Sequence, residues 1–187
     1  MALAICKGWF LKLWLPMTGR RFRAGRNLRV FGSLKVRGPG AVVFGDDVVI
    51  EMTVTPFTHS PAARIQVGNG VYLNGTRFGC VDTIDVGDGS IISDARIMDS
   101  DFHSIDRNRR SADAKVRVHP IQIGANVWIA AQTGVLPGSV IGENSVVAFG
   151  SVCTGVYPAD VLVGGNPAKV LRAITAPATA QQNGNPQ

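Results

Sequence analysis

A six-residue period of apolar side chains runs through residues 121–156. Aliphatic residues, or in one case a small apolar cysteine, recur at every sixth position: Ile123, Ile129, Val135, Ile141, Val147 and Cys153. Neither the 3.6-residue period of a helix nor the two-residue period of a strand produces this pattern. A short strand and a corner together take six residues, and three such units close one coil of about eighteen. The pattern therefore predicts an all-β chain folded as a parallel β-helix, with the recurring side chains stacked inside.

The same period extends toward the N-terminus less regularly. Candidate inward positions are Phe44, Ile50, Val67, Leu73, Gly79, Val86, Ile92 and Met98. The register slips by one position after Gly79, which predicts a bulged corner near Thr83–Asp85. The chain contains 22 glycines, as a fold with many tight corners requires. We assign the β-helix to residues 28–172 on this basis.

Residues 103–120 interrupt the repeat with a charged stretch that has no six-residue period. A polar insertion between regular repeats predicts a loop that leaves the solenoid at a corner, here called the ejected loop, and such loops often carry function. Residues 173–187 are rich in Ala, Gln, Asn and Pro, which predicts a flexible C-terminal tail.

Residues 1–27 form a separate apolar and basic segment. Its first fifteen residues include Trp9 and Trp14 and are interrupted by Lys7 and Lys12. They are too short for a membrane span and lack the features of a secretory signal. The remaining hypothesis is a short amphipathic helix, which either caps the first coil or lies on an anionic membrane surface. One helix could do both.

The net charge of +6 is unevenly placed along the chain. Residues 1–45 contain nine basic side chains and no acidic one, whereas the rest of the chain has ten basic and thirteen acidic residues. Charge asymmetry of this kind concerns the partners of a protein and not its fold, and an anionic membrane is one partner that residues 1–37 would suit. Three widely spaced cysteines, Cys6, Cys80 and Cys153, favour reduced thiols in a cytoplasmic protein. Membrane contact through residues 1–37 would place that protein at the inner face of the membrane.

Four stretches of the chain resemble the blocks of the hexapeptide-repeat acyltransferases, a family that includes the maltose and galactoside O-acetyltransferases. They begin at Ile123 (IGANVWI), Val140 (VIGENSVV), Gly150 (GSVCT) and Val161 (VLVGGNPAKV). The resemblance covers about residues 65–172. It implies a left-handed coil, a homotrimer, and transfer of an acetyl group from acetyl-coenzyme A, without a metal. The segment MDSDFHS at residues 98–104 is similar to the form found in polysaccharide-modifying members.

The resemblance also implies roles for individual residues. His103 matches the catalytic histidine, which takes a proton from the acceptor as it attacks the thioester. Asp101, two positions earlier, is a candidate to orient its ring. Asn74 and Trp128 match positions near the acceptor. The backbone N–H groups of Ala130 and Ala131 are expected to meet coenzyme A or the oxyanion, and Lys169 and Arg172 its phosphates.

The implied acceptor is a sugar hydroxyl of a surface polysaccharide or lipopolysaccharide, or alternatively the amine of an amino sugar. No nucleic acid is expected as a partner.

Two other classes of function remain open. A scaffold without catalytic activity could use the same solenoid. A zinc enzyme of the γ-carbonic-anhydrase type would need three converging histidines. The chain has only His59, His103 and His119, and His59 and His119 are expected to be structural or incidental.

Overall fold

The computed structural model describes residues 1–175, as one helix followed by short strands. Residues 176–187, and with them most of the predicted tail 173–187, lie outside the described part. The strands form three sheets that run along the molecule, because every strand except the last few pairs in parallel with the third strand after it. This arrangement confirms the predicted parallel β-helix.

Each of the three faces of the solenoid is one sheet. Face A contains β1 (Arg21–Ala24), β4 (Ala41–Phe44), β7 (Arg64–Val67), β10 (Thr83–Val86), β13 (Ile121–Ile123), β16 (Val140–Ile141) and β19 (Val156–Tyr157). Face B contains β2 (Arg29–Val30), β5 (Val49–Glu51), β8 (Tyr72–Asn74), β11 (Ile91–Ser93), β14 (Trp128–Ile129), β17 (Val146–Val147), β20 (Val161–Gly165) and β21 (Ala168–Ala173), which is antiparallel to β20. Face C contains β3 (Ser33–Leu34), β6 (Thr53–Thr58), β9 (Arg77–Cys80), β12 (Arg96–Met98), β15 (Gly134–Val135) and β18 (Val152–Cys153).

Inward side chains of the three faces stack into one buried core. On face B, the aligned positions from coil to coil are Ile50, Leu73, Ile92, Ile129 and Val147. All five are fully buried. A single coil cannot bury its own inner side chains, so each coil depends on the neighbour stacked on it.

The predicted register is wrong on part of face C. The inward residues there are Phe78 and Ile97, which align with Val135, whereas Gly79 and Met98 lie one position further on. The corner between faces B and C is shorter in these two coils than a strict period of six allows. The predicted bulge near Thr83–Asp85 is also absent, because these residues belong to the regular strand β10.

In each coil, the corner between faces A and B contains an Asn, Asp or Gly residue with a left-handed backbone. Between faces A and B the backbone adopts the left-handed conformation at Asn27, Asp47, Gly70, Gly89, Asn126, Asn144 and Asp160. Residues other than Gly, Asn and Asp are disfavoured there. The amide of Asn126 donates to Asn144 at 3.0 Å, and that of Asn144 donates to Asp160 at 3.1 Å, so the corner is also a ladder of side-chain hydrogen bonds.

Helix α1 (Ala2–Met17) covers the N-terminal end of the solenoid. Gly8 allows a close approach, since a Cβ atom there would lie 1.9 Å from the carbonyl oxygen of Leu28. The first coil begins at β1, where Phe22 is buried, and therefore before the predicted boundary at residue 28. Within residues 1–175, no helix is long and apolar enough to cross a membrane.

Candidate active site

The ejected loop leaves face C after β12 and returns to face A at β13. Its two ends are paired: Ser100 and Val118 form an antiparallel bridge, and the N–H of His119 donates to the carbonyl of Asp99 at 2.9 Å. The predicted loop is therefore closed at its base by backbone hydrogen bonds, and its start is fixed relative to face C.

Asp99 anchors this base from inside the solenoid. Its side chain is fully buried, and its carboxylate accepts the backbone N–H groups of Val81 and Asp82, each at 2.8 Å. The Sγ of Cys80 lies 3.3 Å from the same carboxylate. Burial, together with the charge of Asp99, raises the pKa of the Cys80 thiol, which therefore stays protonated and donates its hydrogen. The irregular corner before β10 is held by this carboxylate.

Phe102 turns back from the loop onto the outer surface of face C. Its backbone is left-handed, with φ of 59°, and its N–H donates to the Oγ of Ser100 at 3.0 Å. Gly79 makes room for the ring, because a Cβ atom at that position would lie 2.8 Å from Phe102 Cζ. The outward-facing glycine that breaks the predicted register thus seats an aromatic side chain of the loop.

An open apolar cavity of about 190 Å³ lies beside Phe102, here called the face-C cavity. It is lined by Phe57, His59, Arg77, Phe78, Gly79, Met98 and Phe102. The ring of His59 stacks on Phe57 with 3.9 Å between centroids, and is tilted against Phe102 at 4.5 Å. Partial burial against these rings lowers the pKa of His59, and the charge of Asp99 opposes that shift. His59 is thus part of the candidate site, which the sequence alone did not indicate.

His103 directly follows Phe102 and is exposed to solvent. The residues on both sides are fixed: Phe102 packs on face C, and Ser104 is buried, with its Oγ accepting the N–H of Asp106 at 3.1 Å. His103 therefore presents an accessible side chain on a segment held at both ends, next to a residue that lines the face-C cavity. Histidine is the side chain most often used as a general base at neutral pH.

Asp101 is engaged differently from the expectation. Its carboxylate accepts two hydrogen bonds from the guanidinium of Arg117, both at 3.1 Å, and its N–H donates to the carbonyl of Arg117. Among residues 1–175 the carboxylate has no recorded hydrogen bond to His103. Asp101 therefore ties the two ends of the ejected loop together, and its predicted role in orienting His103 finds no contact.

The two predicted acceptor residues both lie on face B. Asn74 ends β8, and its Oδ1 is buried without a hydrogen-bond partner in the described part of the chain. Trp128 begins β14 and is half-exposed. The role of Asn74 in binding the acceptor stays a prediction, because its Oδ1 is shielded from solvent in the single chain.

Of the groups predicted to contact coenzyme A, some are free to bind a ligand in the described chain and one is already hydrogen-bonded within the solenoid. The N–H of Ala130 is not free, because it donates to the carbonyl of Val147 at 3.0 Å as part of the strand ladder. The N–H of Ala131 has no recorded partner within residues 1–175. Lys169 and Arg172 are both exposed on β21, the returning strand at the C-terminal end of the solenoid. Ala131, rather than Ala130, is therefore the available backbone donor.

The surface next to the face-C cavity is strongly basic. Lys35, Arg37, Arg77 and Arg96 line one groove together with a single carboxylate, that of Asp94. Arg77 and Arg96 are aligned on neighbouring strands, so their charges repel each other. Such a groove attracts anions.

None of the described residues forms a group of three or more His, Cys, Asp or Glu side chains placed to hold a metal ion.

The sequence analysis identified His103 but missed Phe102, Gly79 and Asp99, which hold the segment before it in place. Both Asp99 and Phe102 belong to the DSDFHS segment, so the motif itself held that signal.

Comparison with known proteins relates this architecture to transferases. The family described as bacterial transferase hexapeptide (six repeats) matches residues 120–155. Galactoside O-acetyltransferase from Escherichia coli strain K12 is 32% identical over 121 residues, which are 64% of this chain and 59% of that protein. The chain thus spans less than two thirds of that relative's length.

Two solved structures are similar in fold. The polysialic acid O-acetyltransferase OatWY superposes with a TM-score of 0.71 at 19% identity, covering 87% of this chain and 79% of that one. The N-acyltransferase AntD from Bacillus cereus, in complex with dTDP and 3-hydroxybutyryl-CoA, has a TM-score of 0.70 at 18% identity and covers 87% of both chains. At this identity, the likeness concerns the fold.

Proposed function

We propose that this chain, a hexapeptide-repeat protein related to the acetyltransferases, transfers an acetyl group from acetyl-coenzyme A to a sugar hydroxyl. The observation that carries the proposal is the setting of His103: an exposed histidine between the buried Ser104 and Phe102, whose ring lines the open face-C cavity. The sequence relationship to an O-acetyltransferase supports the reaction class. The acceptor we favour belongs to a surface polysaccharide or lipopolysaccharide.

The proposed reaction is a direct transfer. Neutral His103 accepts the proton of the acceptor hydroxyl while the oxygen attacks the thioester carbonyl. The new C–O bond forms, the C–S bond breaks, and the proton from the imidazole neutralises the departing thiolate. The N–H of Ala131 is our candidate donor to the developing oxyanion. Lys169 and Arg172 would pair with phosphates of coenzyme A.

The basic groove favours an acceptor with negative charge near the sugar. Four cations face one carboxylate there, so a phosphate or acidic sugar beside the reacting hydroxyl would reduce their mutual repulsion. An amino sugar remains the second candidate acceptor, because AntD, which shares the fold, is an N-acyltransferase. We place the reaction in the cytoplasm, since all three cysteines are free thiols.

The test compares two exposed histidines of the same region. His103→Ala should lower turnover by about 10²–10⁴-fold, the usual contribution of a general base. His119→Ala, the matched control, should retain turnover within about threefold. Thiol release from acetyl-coenzyme A, with nucleotide sugars, lipid-linked sugars and free saccharides as acceptors, measures both. Full activity of His103→Ala would show that His103 is not the general base. Absence of thiol release with every acceptor would instead favour a scaffold.

A further inference from the structure

Helix α1 is apolar on two opposite faces. One face packs on the solenoid through Ala4, Gly8, Leu11 and Leu15, which are spaced as one stripe of a helix. The opposite face, here called the outer stripe, is exposed and also apolar: Leu3 is 82% exposed, Phe10 59%, Leu13 62%, Trp14 47% and Met17 85%. Capping the solenoid requires the first face only, so the outer stripe has no structural use in the described chain.

The lysines of α1 do not interrupt the outer stripe. Lys7 donates to the carbonyl of Gly32, and Lys12 donates to the carbonyl of Gly25 at 2.7 Å. Both ammonium groups thus serve the contact with the first coil, where they satisfy backbone carbonyls. The predicted amphipathic helix therefore has both lysines at its contact with the first coil, and the outer stripe carries no charge.

Cations without acidic partners in the described chain lie beside α1. A trough of about 710 Å³ beside α1 is lined by Lys12, Arg20, Arg21 and Arg23, and the residues that line it include no carboxylate. Arg21 contacts the carbonyl of Pro61 at 2.8 Å, and the other two arginines have no acidic partner within residues 1–175. An apolar strip beside a basic trough matches the acyl region and the anionic headgroups of a membrane.

We propose that α1 is an interfacial membrane anchor, whose outer stripe inserts into an anionic leaflet while its inner face caps the solenoid. The sixteen-residue helix is about 24 Å long, which suits a helix that lies in the plane of the interface. A second copy of the chain is a poorer occupant, since pairing two outer stripes would bring the arginine clusters of both copies together. The anchor would hold the protein where lipid-linked acceptors are displayed.

The test uses the full chain and two kinds of vesicle. Co-sedimentation is measured with phosphatidylcholine vesicles, with and without phosphatidylserine, at low and high salt. The wild-type chain should pellet with the anionic vesicles at low salt, and less at high salt, because exposed charges are screened. Phe10→Ser with Trp14→Ser should weaken this binding by about tenfold or more, without lowering the midpoint of thermal unfolding.

Matched variants separate membrane binding from capping. Arg20→Gln with Arg21→Gln and Arg23→Gln should reduce binding to anionic vesicles by about tenfold or more. The same triple change at Arg107, Arg109 and Arg110 of the ejected loop should leave binding unchanged. Leu15→Ala should lower thermal stability but keep binding as long as the helix folds.

Three outcomes would overturn the proposal. The first is no binding to anionic vesicles at low salt, and the second is equal binding to neutral and anionic vesicles. The third is a wild-type chain whose assembly size falls on Phe10→Ser with Trp14→Ser while vesicle binding persists, which would make the outer stripe a contact between copies. None of these measurements depends on acetyl transfer.

Discussion

His59 stands between two aromatic rings on an open face of the solenoid. The contacts with Phe57 and Phe102 remove water from part of the imidazole. This loss of hydration destabilises the charged form of the ring more than the neutral form. The pKa of His59 is therefore below its ordinary value of 6.5. The carboxylate of Asp99 favours the charged form and opposes this shift in part. The neutral ring keeps the face-C cavity apolar.

A depressed histidine pKa makes folding sensitive to acid. The unfolded chain binds a proton at His59 near pH 6.5, whereas the folded chain binds it only at lower pH. Stability should therefore decline as the pH falls from 6.5 to the folded pKa. NMR titration should show His59 protonating below pH 6.5, and Phe102→Ala, which removes one covering ring, should raise its pKa toward 6.5. A pKa of His59 that Phe102→Ala leaves unchanged would contradict this account, and the exposed His119 serves as the internal reference.

At the scale of elements, the base of the ejected loop depends on two aspartates with different surroundings. Asp99 is buried and accepts two backbone N–H groups, while Asp101 forms a partly exposed ion pair with Arg117. Asp99→Ala would leave buried donors without partners and should lower the free energy of unfolding by about 1–3 kcal/mol or more. Asp101→Ala should cost about 0–1 kcal/mol, as exposed ion pairs do. Urea denaturation measures both changes, and equal losses would show that Asp99 is not the anchor.

The repeat predicts the elements well where the corners are uniform. From Ile123 to Cys153 every inward position follows from the period of six, because each corner there takes the same number of residues. Before Phe78 and Ile97 the corner is one residue shorter, so counting in sixes selects Gly79 and Met98 as the inward residues instead.

The part of the candidate site that lies within a sequence motif, which includes His103, could be predicted from the sequence. The contact of His59 with Phe102 could not be predicted, because it depends on the outward-facing Gly79 of another coil.

At the scale of the whole molecule, face B carries an exposed apolar column. The outward residues of successive strands are Tyr72, Ile91, Trp128, Val146 and Leu162. Ile91 is 45% exposed and Trp128 50%. Aligned strands lie about 4.8 Å apart, so these side chains form one continuous strip along the solenoid. A continuous apolar strip on the outside of a protein is typical of a contact surface.

We predict that this column is buried between copies of the chain, in the homotrimer that the family resemblance implies. Light scattering on the wild-type protein should give three times the protomer mass of 19.8 kDa, and the assembly should survive dilution to nanomolar concentration. Ile91→Arg places a charge in the strip and should dissociate the assembly, because an unpaired charge is costly to bury at an interface. Turnover should fall with it, because the family resemblance also implies an active site that lies between adjacent protomers.

Val156→Arg provides the matched control for this change. Val156 is 75% exposed and lies on face A, so the same substitution adds the same charge at an apolar surface position outside the column. It should leave the mass and turnover of the wild-type assembly intact. If Val156→Arg dissociated the protein and Ile91→Arg did not, face A rather than face B would form the interface. A wild-type protein that is active as a monomer would contradict both the trimer and the shared active site, and would require Ala131, Lys169 and His103 of one chain to serve the same reaction.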